Sequence, residues 1–203
     1  MSDYDEALSR IAEIRSQIAA STSFRGFAPA QFAVVAVLCA LIAAGQAWWP
    51  PRRAGSAVDF VIVWGVVLAG VTGIVAVESH SRAIRAHGLL ADMMLGTTVR
   101  RIAPFALSIA ATGFIVCGYA PEAVRLVPGL WLMLMGLAGF AAAGSLPRTI
   151  TPVSVWFLAS GLVVLIVAAR SGQAEPWMMG VPLAIGHALV AVVYARDRGG
   201  HAA

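Results

Sequence analysis

Six apolar stretches, residues 28–49, 58–78, 102–119, 126–146, 153–170 and 176–195, carry no Asp, Glu, Lys or Arg between their interfacial ends, where Asp59, Glu78 and Arg170 lie. At about 1.5 Å per residue, each is long enough as a helix to cross the roughly 30 Å hydrocarbon core of a bilayer. Hydrocarbon offers backbone groups no hydrogen-bond partner, so only helices and closed barrels span it. Barrel strands alternate apolar and polar positions, whereas these stretches are apolar on every face. The expected fold is therefore all-α, a polytopic membrane protein of six transmembrane helices. With 12% charged residues the chain has about half the charge usual in a soluble domain, and its mean hydropathy of +0.83 agrees.

The stretches leave short connections and no room for a separate soluble domain. Three parts are expected: a cytosolic amphipathic helix and linker over 1–26, the membrane domain over 27–196, and a cytosolic tail over 197–203. Orientation follows from arginine placement, since all 14 basic residues are arginine. With the N-terminus inside, ten lie on the cytosolic side: Arg10, Arg15, Arg25, Arg82, Arg85, Arg100, Arg101, Arg148, Arg196 and Arg198. Only Arg52, Arg53, Arg125 and Arg170 lie opposite. This bias puts both termini in the cytosol. Trp48, Trp49, Phe60, Tyr119 and Trp177 then fall at the outer ends, where amphipathic rings suit an interface. Arginine without lysine, with abundant alanine and glycine, points to a GC-rich bacterial genome, and the expected location is the bacterial inner membrane. The net charge of +4 is spread beside the apolar runs and forms no block, so direct nucleic-acid binding is not expected.

Two cytosolic elements are organised. Over residues 3–20, Asp3 and Glu6 have capping-box spacing, and Tyr4, Ala7, Leu8, Ile11, Ile14 and Ile18 share one face of a helix. The charges of this helix nearly cancel, which suits docking on protein better than lying on anionic lipid. The second span meets no breaker before Gly88, so its helix is expected to continue into the cytosol, with Glu78, Arg82 and Arg85 on one face. Leu8, Ile11, Ile18, Arg82 and Arg85 are the expected partner-binding residues.

Candidate chemistry inside the membrane is sparse. Proton relays and ion-coupled carriers place ionisable groups in their spans, and here only His187 qualifies. It sits on the small-residue seam of the sixth span, among Gly180, Ala184 and Ala191, and points into the bundle. A haem ligated by two histidines would need a second one at the same depth. His80 differs from His187 in depth by roughly 10 Å, which weighs against that site. Ser108 and Thr112 share a face at i and i+4 and, with Ser160 and His187, are the residues that would line a solute path. Cys39 and Cys117 lie inside apolar runs and read as buried thiols. No hydrolytic constellation, phosphate loop, CxxC pair or HExxH run occurs. No catalytic residue, metal ligand or cofactor is assigned, and the chain is not expected to be an enzyme.

Association of spans in lipid depends on close approach of small residues. Three stripes offer it: Gly65, Ala69 and Gly73 in the second span, Gly180, Ala184 and Ala188 in the sixth, and Gly129, Gly136 and Ala143 at steps of seven in the fourth. The stripes predict which faces are buried, and a homo-oligomer is a further expectation. Pro182 predicts a bend in the sixth span.

The segments SDYDEALSRIAEIRSQIAASTSFRG, VPGLW and EPWMMGVPLAIG resemble a family of small six-span bacterial inner-membrane proteins without an assigned activity. Such proteins tend to be encoded beside a small winged-helix DNA-binding regulator, so the resemblance implies a regulatory partnership and no reaction. The leading expectation is a regulatory or scaffolding membrane protein that binds a cytosolic partner. A small-solute transporter or channel, and a b-type haem protein, are the alternatives.

Overall fold

The computed structural model describes residues 10, 11, 14, 28–48, 57–87, 91–143 and 150–199. Helices α1 (Pro29–Trp48), α2 (Ala57–His87), α3 (Ala91–Tyr119), α4 (Val127–Ala142), α5 (Thr151–Ser171) and α6 (Trp177–Gly199) lie within them, and a 3-10 segment, η1 (Pro121–Leu126), leads into α4. No strand occurs among the described residues. All of α1 and α5, residues 58–81 of α2, 98–119 of α3, 121–142 of η1 and α4, and 177–196 of α6 are long and apolar enough to cross a membrane. The chain is an all-α, multi-pass membrane protein, and its spanning helices lie in contact with the lipid bilayer.

Local chemistry sets the boundaries. α2 is described as one continuous helix as far as His87. In α5 a proline stands in the first turn, where its missing N–H costs nothing. Gly172 ends that helix at φ 73°, donating its N–H to the Ala168 carbonyl at 3.1 Å, as a left-handed cap does. The fourth span begins at Pro121, earlier than the sequence pattern suggests. An α-helix would bond the Val124 carbonyl to the amide of residue 128, but that residue is proline and has no N–H. The Val127 amide bonds Val124 instead, tightening the entry into a 3-10 turn. α3 and α6 run through Pro104 and Pro182 without a break. The Pro182 carbonyl accepts the Trp156 indole N–H at 3.0 Å, a bond that ties α5 to α6.

Two tight pairs, α4 with α5 and α1 with α6, form the centre of the bundle and join through α5 and α6. Glycines set the first pair. A Cβ on Gly129 would lie 2.9 Å from the Gly161 carbonyl oxygen, and one on Gly161 would lie 2.9 Å from that of Gly129. One on Gly136 would lie 2.8 Å from both Ser154 O and Leu158 N. The backbones therefore touch along the predicted seven-residue stripe, close enough for Cα–H···O contacts. In the second pair Gly180 packs against Ala43, and a Cβ there would meet the Ala43 methyl and approach Cys39 O to 3.3 Å.

The stripe on α2 behaves differently. A Cβ on Gly73 would meet nothing within 4 Å, and Ala69 is exposed. Only Gly65 approaches another helix, through the Trp131 ring of α4. In the most apolar stretches of α2 and α3, 11% and 6% of residues are buried, against 44% in α6, so these two helices are the periphery of the bundle. Side chains hold them there. Gly113 of α3 gives room to Trp131, whose ring a Cβ would approach to 2.7 Å, and Trp64 of α2 is wholly buried.

Candidate functional site

His187 lies midway along α6 and is buried. Its Nδ1 donates to the Leu183 carbonyl one turn earlier at 2.8 Å. Phe32 of α1 stacks on the imidazole with centroids 6.3 Å apart, and Phe157 of α5 meets it edge-on at 6.0 Å. Tyr194, two turns further along α6, stacks on the other face of the group through Phe32 at 5.9 Å. The result is an aromatic column that fastens α1 and α5 to α6. A histidine held this way contributes ring packing and a local hydrogen bond, and among the described residues no carboxylate or second imidazole is hydrogen-bonded to it. His80, the other histidine weighed for a haem, is exposed on α2. Among the described residues no group of three His, Cys, Asp or Glu side chains could hold a metal.

Two of the three hydroxyls named with His187 turn back on their own helices. Ser108 Oγ donates to Pro104 O at 2.8 Å, and Ser160 Oγ donates to Phe157 O at 3.2 Å. Ser108 is exposed and Thr112 and Ser160 are half-buried. Neither of the clefts described next is lined by any of the four.

The larger cleft, about 710 Å³, opens between α2 and α3. Its walls are small residues, Gly65 and Ala69 on one side and Ala110 and Gly113 on the other, and its floor is Trp131 and Met135 of α4. It runs from Val58 and Gly118 at the end where α3 meets η1 to Thr72 and Ala106 deeper in the bundle. Sequence reasoning singled out the α2 wall but missed the α3 wall, although Ala106, Ala110 and Gly113 repeat at i, i+4 and i+7. A second cleft of about 500 Å³ lies between α1 and α6, with Glu175 and Trp177 at one end, where the indole N–H donates to the carboxylate at 2.5 Å. Both surfaces are overwhelmingly apolar and suit hydrocarbon better than a hydrated solute.

Of the expected partner-binding residues, Ile11 is helical and 47% exposed, and its neighbour Ile14 is 55% exposed. Leu8 and Ile18 lie outside the described residues. Arg82 and Arg85 belong to the part of α2 beyond its apolar span, and their side chains are likewise not described. α3 begins at Ala91, ahead of its own span at Thr98. Both helices therefore continue past their membrane-spanning stretches, α2 by six residues, or about 9 Å at 1.5 Å per residue. The chain matches no protein-family model, no curated protein and no solved structure.

Proposed function

We propose that this protein is a non-enzymatic membrane anchor and regulator that docks a soluble cytosolic protein, in the bacterial inner membrane with both termini inside the cell. The observation that carries the reading is the pair α2 and α3, both of which continue as helix beyond the spans on the side where arginines concentrate. Ile11 and Ile14 support it, because two large apolar side chains left open on a helix outside the spans favour a partner over packing beneath the bundle. His187 and the serines spend their polar groups within or against their own helices, which favours a structural interior over a transport path.

Site-specific photo-crosslinking in cells tests the reading. Probes at Ile14 and at Arg85 should yield one and the same soluble partner, and Ile11→Asp should remove the adduct while the protein stays in the membrane. Adducts with lipid or with the chain itself alone, or capture that Ile11→Asp leaves unchanged, would overturn it.

A further inference from the structure

We infer that the cleft between α2 and α3 is a binding site for one anionic phospholipid, whose acyl chain fills the groove and whose phosphate is held by Arg125. The inference rests on the membrane fold alone and is independent of the docking partner.

Dimensions come first. From Val58 to Thr72 the groove follows α2 for about 21 Å, and from Ala106 to Gly118 it follows α3 for about 18 Å, at 1.5 Å per residue. One leaflet of hydrocarbon is roughly 15 Å deep, so the groove reaches from the interface to about the bilayer midplane. Tyr119, immediately beyond Gly118, is 80% exposed, as an interfacial ring should be. Small side chains on both walls make a slot against the flat Trp131 ring, and a slot between helices seats a chain one methylene wide. A transmembrane helix is about 10 Å across and would have to spread α2 from α3 to enter.

Charge supplies the second observation. η1 follows α3 at the shallow end of the groove and packs on α2 and α3, the two walls, as well as on α4 and α5. It carries Arg125, which is half-buried, and whose guanidinium makes one hydrogen bond, from Nη1 to the backbone carbonyl of Glu122. Its Nε is buried and without a partner. No carboxylate pairs with this cation among the described residues. A planar donor set held at the lipid interface and not neutralised by the protein matches phosphate oxygens. An acyl chain in the slot would leave its phosphate at the end of the bundle where η1 carries Arg125, tail inward and head outward.

The purified full chain, exchanged into mild detergent, is titrated with phosphatidylglycerol or phosphatidylcholine and read by native mass spectrometry. One phosphatidylglycerol should be retained at least tenfold more tightly than phosphatidylcholine. Arg125→Ala should remove that preference without removing the protein's secondary structure. Ala69→Leu with Ala110→Leu fills the slot from exposed positions, which spares the bundle, and should abolish retention of either lipid. Equal binding of the two lipids by the native chain, or undiminished retention by the filled variant, would overturn the site. So would a native dimer that the filled variant converts to monomer, since the occupant would then be a second copy.

Discussion

Replacing Gly136 by Ala adds one methyl group at the point where α4 and α5 are closest. That carbon would lie 2.8 Å from Ser154 O and Leu158 N, whereas carbon and oxygen rest at about 3.3–3.6 Å in close helix contacts. Both obstructing atoms are backbone, so no rotamer change relieves the overlap, and the helices must part by about half an ångström or more. A gap of that size removes roughly a quarter of the dispersion energy between facing atoms. Forced extra volume in packed cores costs about 1–3 kcal/mol. The substitution also gains about 1 kcal/mol of helix propensity, which has to be subtracted. Gly73→Ala provides the subtraction, because it has the same propensity gain and nothing within 4 Å of the new methyl. The two variants should differ in unfolding free energy by about 1–3 kcal/mol, a factor of roughly 5 to 150 in the equilibrium constant. Reversible unfolding in mixed micelles, followed by tryptophan fluorescence, measures this directly. Equal stabilities for Gly136→Ala and Gly73→Ala would show that backbone contact between α4 and α5 does not hold the bundle.

Two further outcomes follow from the buried groups. His187→Phe should keep the aromatic column and stay within about 1.5 kcal/mol of the native chain. His187→Ala should cost about 2–4 kcal/mol by opening a cavity between Phe32 and Phe157; matching losses in the same unfolding assay would mean that the ring nitrogens outweigh packing. Cys39 is 1% exposed while Cys117 is half-buried on the wall of the larger cleft. A small maleimide should therefore label Cys117 in the folded protein and reach Cys39 only after unfolding, and equal labelling rates would contradict the packing of α1 on α6.

The spans were legible because a bilayer imposes one length on every crossing segment, and the apolar runs ending near Trp48, Tyr119 and Ser171 have that length. Faces were legible in part. Glycine spacing identified Gly129, Gly136 and Gly180 as contact positions, yet spacing gives the face of a helix and not its partner. The reciprocal seat of Gly161 against Gly129 is a property of two helices together, and no pattern within α5 announces it. The α2 stripe illustrates the same point from the other side: Gly65, Ala69 and Gly73 have the spacing of a contact seam, but the bulk of Trp131 stands between α2 and α3 and opens a groove there. Pro128 hid the start of the fourth span, because the effect of a missing amide falls four residues upstream of the proline that causes it. The expected roles of Arg82, Arg85 and His187 rested on residue type and face, and such roles depend on neighbours that a linear pattern does not specify.

The unequal attachment of the six helices has a thermodynamic consequence. Four of them are held by close backbone approach within each pair, and an aromatic column ties three of these together, so opening any one exposes much of the core. The other two are joined to that core by side chains, among them the Trp131 ring seated against Gly65 and Gly113, and bury least of their surface, so they can separate as a unit with most native contacts elsewhere intact. Amide hydrogens along α2 and α3 should consequently exchange through partial opening well before those of α4 and α5. A force applied at their projecting ends would be met first by this low-cost displacement, which makes the pair the compliant member of an otherwise stiff assembly.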